Sequence, residues 1–157
     1  MKLAVFNWKG RAQIGRVSDD GKTVECLDMP VDSIASTGVV SLIGKPLPKV
    51  LEKVALSEVE LLAPVPRPSR NIFCVGKNYH EHAKEFSASG FDSSAAKGTV
   101  PEAPIVFSKL PETVVTNGAP IRLDKSVSTA IDYEAELAVI IGKPGRNISK
   151  DDALSHV

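Results

Sequence analysis

Three carboxylates alternate along one short segment of the chain. Asp132, Glu134 and Glu136 stand two positions apart, and the apolar run 137–141 follows them and ends at Gly142. This run predicts a buried strand, on which alternate side chains share one face, roughly 6–7 Å apart. Like charges held so close are destabilising unless they share a proton or bind a cation. Oxygen ligands of this kind suit a hard divalent ion, Mg, Mn or Ca.

The same alternation is also typical of the solvent-facing side of an ordinary edge strand. Carboxylates on such a face are hydrated and need no ligand. The segment alone therefore leaves a metal site and a solvated strand face as two open interpretations.

A second group of polar side chains follows the apolar run 71–75, which predicts a strand that turns into a short helix over 79–86. His82 and Glu85 are three residues apart and so are neighbours on a helix surface. A carboxylate beside an imidazole raises its basicity and fixes its tautomer, which gives a general base that can activate water. A solvated His–Glu pair without a function is the alternative. His80 and His82 can share a metal only on a strand, which leaves a histidine metal site as a further alternative.

A lysine follows the predicted strand 104–108. Lys109 can hold a substrate carboxylate or an enolate oxygen, and a surface lysine at a strand end is the alternative. The turn at 142–145 lacks the Ser/Thr and the leading glycine of a phosphate-binding loop. The sequence contains no nucleophile elbow, dinucleotide fingerprint or zinc cysteine cluster.

The composition is that of an ordinary globular protein. The 157 residues are 43% hydrophobic and 24% charged, and Lys+Arg and Asp+Glu both total 19. The absence of a basic tract argues against nucleic acid as a partner, and no apolar run is long enough to cross a membrane. Cys26 and Cys74 are too far apart to form a metal-binding motif, and we expect a reducing, cytoplasmic location.

The pattern of prolines and strands predicts two domains. A small β-rich domain spans residues 1–66, and an extended proline-rich connector leads to a second domain over 67–157. A Ser-, Ala- and Gly-rich stretch predicts a mobile loop over 87–98. Further predicted elements are strands at 2–8, 13–17, 23–27, 114–115 and 120–123, helices at 31–36 and 47–56, and a helix start at 149–154 capped by Ser149.

Three segments in this order resemble the fumarylacetoacetate hydrolase family. Residues 74–85 (CVGKNYHEHAKE) are similar to the family's glycine–asparagine–tyrosine signature, with its histidine and glutamate downstream. Residues 104–109 (PIVFSK) resemble a family strand that ends in lysine, and residues 132–143 (DYEAELAVIIGK) resemble its acidic core strand. The resemblance covers about residue 70 to the end. Residues 1–66 are a looser match to the small N-terminal domain of many bacterial members.

The resemblance implies a mostly β (α+β) protein, with the small N-terminal domain followed by the first part of a mixed β-sandwich roll. It implies Mg or Mn held by Glu134 and Glu136, with Ca as an alternative. His82 and Glu85 become the water-activating dyad on a segment that closes as a lid, and Lys109 assists at the substrate. By the same resemblance, Asn78 and Tyr79 are substrate-binding residues.

The resemblance also implies a metal-dependent hydrolase of carbon–carbon bonds in small 1,3-diketo acids, such as acylpyruvates or fumarylacetoacetate, in aromatic compound catabolism. An isomerase or decarboxylase of a hydroxymuconate-type oxo-dioic acid is the first alternative. The family's third carboxylate ligand is expected beyond Val157, so a truncated, inactive fragment that acts only as an interaction module is the second. A small oxo-acid is the expected partner, and the full-length protein is expected to be a homodimer.

Overall fold

The structure is a computed structural model that describes residues 1–88 and 101–157. Two compact units are present: residues 1–67 together with 114–157, and residues 68–113. Both units contain antiparallel strands and short helices, which confirms the mostly β fold class. The domain boundary at residue 66 stays a prediction. No helix in the described part of the chain is long and apolar enough to span a membrane.

Five antiparallel strands form the sheet of residues 1–67, in the order β4-β3-β2-β1-β5. Between β3 and β4 the chain forms a short helix and a 3-10 turn. The elements are β1 (Lys2–Trp8), β2 (Arg11–Val17), β3 (Thr23–Leu27), α1 (Val31–Thr37), the 3-10 turn Gly38–Leu42, β4 (Val50–Ala55), the 3-10 turn Leu56–Glu58 and β5 (Glu60–Leu61).

Two tight turns set the register of the first three strands. Lys9 and Gly10 both have positive φ (50° and 76°), the pairing that a two-residue hairpin requires. In the next turn Ser18 Oγ donates to Asp20 Oδ1 at 2.6 Å, and Lys22 N donates to the same oxygen at 3.0 Å. These turns and the strands around them confirm the predictions for 2–8, 13–17 and 23–27.

The connection between β4 and β5 forces this sheet to curl. The two strands are opposite edges of the sheet, yet only residues 56–59 join them. An extended chain from residue 55 to residue 60 reaches about 17 Å, whereas four flat interstrand spacings need about 19 Å. The 3-10 turn shortens the reach further, so the edges must bend toward each other.

The two faces of the curled sheet bury two separate apolar clusters. Along β1, Val5 belongs to one cluster and Phe6 to the other, as the alternation of side chains on a strand requires. One cluster is Val5, Ile14, Leu27, Ile34 and Leu42, which includes residues of α1 and the following 3-10 turn. The other is Phe6, Val24, Cys26 and Val54, with Leu56, Val59 and Leu61 packed against it.

One predicted helix is a strand in the structure. Residues 47–56 were expected to be helical, but β4 pairs with β3 through Val54↔Val24 and Val50↔Leu27. The edge of β3 offers hydrogen bonds and a buried position for Val54, and this tertiary pairing overrides a weak local preference. The helix predicted over 31–36 is confirmed as α1.

The unit of residues 68–113 is a two-stranded sheet with one helix. β6 (Ile72–Gly76) pairs antiparallel with β7 (Ile105–Lys109), and α2 (His80–Ala88) begins four residues after β6. A 3-10 turn, Pro111–Thr113, follows β7. Both strands and the helix confirm the sequence-based predictions within a few residues. Most of the predicted mobile loop 87–98 lies outside the described residues.

Residues 114–152 form neither helix nor strand. The predictions of strands at 114–115, 120–123 and 132–142 are therefore wrong, because no second strand of the described residues lies alongside these segments to complete a hydrogen-bond ladder. The end of the chain folds back locally: Gly142 N and Lys143 N both donate to His156 O, at 2.8 and 3.2 Å. Ser149 Oγ accepts from Asp152 N, ahead of the 3-10 turn Ala153–His156, so the predicted helix is a shorter 3-10 turn.

Candidate functional site

The acidic segment is open to solvent in this structure. Glu134 and Glu136 are both exposed, and so are Tyr133 (86% exposed) and Leu137 (82%) between and beside them. Asp132 Oδ1 accepts a hydrogen bond from Tyr133 N at 2.8 Å, so its carboxylate is engaged by the next backbone amide. The two glutamate side chains are accessible to an ion, and they do not lie on the buried strand that the sequence predicts.

The donor chemistry of this segment suits a hard cation only in part. Two carboxylates supply the oxygen ligands that Mg or Mn prefers. Among residues 1–88 and 101–157, however, no three His, Cys, Asp or Glu side chains come together as a metal site. Glu134 and Glu136 can thus provide two ligands, and their metal role stays a prediction.

The second predicted pair lies on α2. His82 is half-buried and Glu85 is exposed, and their separation of three residues places them on neighbouring positions of the helix surface. Ala83 N donates to Tyr79 O at 2.9 Å, so the first helical hydrogen bond begins at Tyr79. Because His80 and His82 lie on a helix, their side chains diverge, and a metal site shared by these two histidines is ruled out.

The turn that leads into α2 contains a buried lysine. Lys77 is 7% exposed and has φ +55°, a left-handed conformation that costs a residue with a Cβ roughly 1–3 kcal/mol. Its Nζ lies 5.5 Å from the ring centre of Phe86. The rings of Phe86 and His82 are 6.2 Å apart, centre to centre, and inclined at 40°. Contacts therefore run from the turn through Phe86 to the imidazole.

A cavity of about 260 Å³ opens at the same turn, between the end of β6 and the start of β7. Of the predicted substrate-binding residues, Asn78 lines it. Lys77, His80 and Glu102 add charged or ionisable groups to its wall. The amide, the ammonium group and the imidazole are donors suited to a small carboxylate or oxo group.

Lys109 is the last residue of β7, opposite Ile72 of β6. Its Nζ lies 5.7 Å from the ring centre of Phe107, and its side chain is exposed. The two side chains point to the same face because they are two residues apart on a strand. The ammonium group is therefore available to a ligand on that face.

The predicted residues divide between the two units. Asn78, Tyr79, His82, Glu85 and Lys109 belong to residues 68–113, whereas the two glutamates of the acidic segment belong to the other unit. Within residues 68–113, one turn and one helix carry Asn78, Tyr79, His82 and Glu85. The assignment of catalytic and metal roles stays a prediction.

Sequence reasoning missed Lys77 and Phe86. Phe86 stands four residues after His82, a spacing at which helical side chains touch, and this signal was available in the sequence. The burial of Lys77 had no comparable signal, because lysine is rarely buried and a left-handed backbone is unusual for it.

Comparisons with known proteins agree with these motifs. Residues 71–157, more than half of the chain, match the fumarylacetoacetate (FAA) hydrolase C-terminal family. The chain is similar to the oxaloacetate tautomerase YisK of Bacillus subtilis, with 48% identity over 103 residues, which are 66% of this chain and 32% of YisK. It is also similar to the human mitochondrial oxaloacetate tautomerase FAHD2A, with 38% identity over 118 residues, covering 75% of this chain and 34% of FAHD2A.

A solved structure matches over nearly the whole chain. It is the fumarylacetoacetate hydrolase EaFAH from psychrophilic Exiguobacterium antarcticum, with a TM-score of 0.69 and 31% identity over 99% of this chain. The chain spans 52% of that protein and about a third of the length of the curated relatives it matches. The family match, the relatives and the ordered motifs agree, and the chain belongs to the fumarylacetoacetate hydrolase family.

Proposed function

We propose that this protein is an enzyme that interconverts the keto and enol forms of a small oxo-dioic acid of the oxaloacetate type. Its support is the similarity of the chain to two oxaloacetate tautomerases. This favours the isomerase alternative over carbon–carbon bond hydrolysis. The hydrolase hypothesis is supported by the similarity to EaFAH, whose sequence identity to this chain is lower, at 31% against 48% for YisK.

The proposed reaction moves one proton from carbon to oxygen. In the keto-to-enol direction, the His82 imidazole removes a proton from the carbon next to the oxo group, and the negative charge passes to the oxo oxygen. The His82 imidazolium then gives a proton to that oxygen, which completes the enol and restores the neutral imidazole. The carboxylate of Glu85, one helical turn from His82, stabilises the positive charge of the imidazolium that forms. No water is consumed and no carbon–carbon bond breaks.

Two further side chains fit this reaction. The Lys109 ammonium group can stabilise the negative oxygen of the enolate, since a positioned cation favours charge that develops in the transition state. Asn78 lines the cavity at the start of α2 and can donate its side-chain amide to a substrate carboxylate. These residues hold the substrate, whereas His82 moves the proton.

Glu134 and Glu136 would hold a divalent ion, Mg or Mn. Bound there, such an ion would supply Lewis-acid polarisation of the oxo group. His82, Lys109 and Asn78 carry the remaining chemistry, namely proton transfer, stabilisation of the enolate and orientation of the substrate.

The test measures tautomerisation of oxaloacetate by the purified protein with Mg present, and the loss of enol absorbance reports the rate. His82→Gln is expected to lower kcat about 10²–10⁴-fold, the usual contribution of a general base. The matched control is His156→Gln, since His156 belongs to the other unit and has no role in proton transfer. Equal losses in the two variants would contradict the assignment of His82.

Product mass separates this function from hydrolysis. Hydrolysis of an acylpyruvate adds one water to the sum of the products, whereas tautomerisation leaves the mass unchanged. We expect the protein to accelerate deuterium uptake from D₂O at the carbon beside the oxo group, without cleavage. Rapid cleavage of acylpyruvates, with no acceleration of tautomerisation, would favour the hydrolase function instead.

A further inference from the structure

The buried lysine of the β6–α2 turn lines the cavity, but it also makes a contact with Phe86 that the proposed chemistry does not use. Lys77 is 7% exposed and adopts φ +55°. Removing an ammonium group from water and holding a non-glycine residue in this conformation are both unfavourable. Both persist only where surrounding contacts compensate for them. One such contact is with Phe86, whose ring centre lies 5.5 Å from Lys77 Nζ.

The Phe86 ring contacts both this cation and the imidazole of His82. A distance of 5.5 Å is within the range of a cation–π interaction, which is stronger where water is excluded. The 6.2 Å separation and 40° inclination of the Phe86 and His82 rings are in the range of aromatic pairs. Because His82 and Phe86 are one helical turn apart, the ring restricts the imidazole directly.

We propose that Lys77 and Phe86 are positioning residues that hold the His82 imidazole in its working orientation, with Lys77 acting through the Phe86 ring. This inference rests on the proposed function for its effect on catalysis. Lys77 anchors the ring from the turn, and the ring limits the rotation of His82. Proton transfer depends steeply on such orientation, since small displacements of a catalytic group reduce rate strongly.

The kinetic test compares variants that keep or remove each contact. Phe86→Leu is expected to lower kcat about tenfold with KM changed less than about twofold, because substrate binding is retained while the base is misoriented. Phe86→Tyr keeps the aromatic ring and should retain the wild-type kcat. Lys77→Met should lower kcat about threefold, and Lys77→Arg should retain it. Phe73→Leu replaces an exposed phenylalanine of β6 and should leave both kcat and KM unchanged.

The double variant tests whether Lys77 acts through the ring. In the Phe86→Leu background, Lys77→Met should cause no further loss of kcat, since the intermediary is already absent. A further threefold loss of kcat in this background would overturn the proposal. So would wild-type kcat in Phe86→Leu, measured on a protein that tautomerises oxaloacetate.

An NMR measurement separates this inference from the proposed function. The chain has three histidines, and the Cε1 proton of His82 is assigned by its loss in His82→Gln. Lys77→Met should shift this resonance in the wild-type background and leave it unmoved in the Phe86→Leu background. If the protein fails to tautomerise oxaloacetate but shows this pattern, the function is wrong and the positioning stands. An equal shift in both backgrounds overturns the positioning role.

Discussion

The tripeptide Leu-Ala-Val occurs twice in the chain, at residues 3–5 in β1 and at residues 137–139 in the acidic segment. In β1, Val5 is 1% exposed and the strand has a partner on each side. In the acidic segment, Val139 is 57% exposed and no strand of the described chain pairs with it. The comparison teaches that an apolar β-branched run becomes a buried strand only where neighbouring strands complete its hydrogen bonds.

The same contrast holds for the two regions as a whole. Among the described residues, nine of the ten buried apolar side chains lie in residues 1–67, and the tenth is Ala83 of α2. Residues 114–157 are nearly as rich in Val, Ile and Leu but place them at the surface. Four experiments can break or sharpen this comparison, beginning with the largest expected effect.

The two cysteines should differ most. Cys26 is fully buried in the curled sheet, and burial, with a smaller effect from the charge of Glu52, raises the pKa of its thiol. Cys74 of β6 is only partly buried. We expect Ellman's reagent to modify Cys74 at least about a thousandfold faster, because Cys26 reacts only after the sheet opens. Mass spectrometry of timed samples, with Cys74→Ser as the control, measures both rates, and equal rates would contradict a closed core.

Two glycines test how tightly each sheet is packed. A Cβ on Gly15 of β2 would collide with Val24 Cγ2 and lie 2.7 Å from Glu25 O, whereas one on Gly76 of β6 would meet nothing closer than 3.7 Å. Gly15→Ala should therefore cost about 3 kcal/mol of unfolding free energy. Gly76→Ala should change it by less than about 0.5 kcal/mol. Urea unfolding of both variants gives these values, and a tolerated Gly15→Ala would mean that the sheet is looser than described.

The two copies of Leu-Ala-Val provide a direct test. Val5→Ala should lower the free energy of unfolding by about 2 kcal/mol, from lost apolar burial and the cavity left behind. Val139→Ala should lower it by less than about 0.5 kcal/mol, since that side chain is exposed. The fluorescence of Trp8 in β1, the single tryptophan, reports unfolding of the sheet. Equal losses would show that residues 137–139 are buried in solution.

The smallest effect should come from Asp20 and should depend on pH, with Asp124 as its comparison. Hydrogen bonds from Ser18 Oγ and then Lys22 N lower the pKa of Asp20 below 3.8, and those of Ser126 lower the pKa of Asp124. A lowered folded-state pKa stabilises the fold above the unfolded-state pKa, and this contribution is lost as pH falls through the folded value.

We therefore expect wild type to be more stable than Asp20→Asn near neutral pH and the difference to vanish well below pH 3.8. Asp124→Asn should leave the stability reported by Trp8 unchanged at every pH, because its turn lies outside the sheet. Urea titrations between pH 2 and pH 7 measure both. A pH-independent difference for Asp20→Asn would attribute the effect to the side-chain amide rather than to the charge.

Local chemistry explains what could be predicted from the sequence. Lys9-Gly10 and Asp20-Gly21 specify tight turns, and the strands beside them are nearly correct because each pairs with its neighbour in sequence. The order of the three family motifs was likewise sufficient to identify the family.

Long-range pairing explains what could not be predicted. Residues 47–56 form a strand only because the distant edge of β3 is open to them. Residues 132–142 form no strand, and no strand edge within residues 1–88 and 101–157 lies alongside them. The roles of Lys77 and Phe86 depend on how the turn packs against α2, which spacing alone indicates only in part.

The short connection between β4 and β5 has a consequence for the order of folding. It brings β5 back beside β1, so Phe6 pairs with Leu61 although the two residues lie near opposite ends of the sequence that forms the sheet. Closing so large a loop costs more chain entropy than closing the hairpin turns at residues 9–10 and 18–22. The β1–β2–β3 meander should therefore assemble early in the folding reaction, and the contact between the first and last strands should form after the rate-limiting transition state.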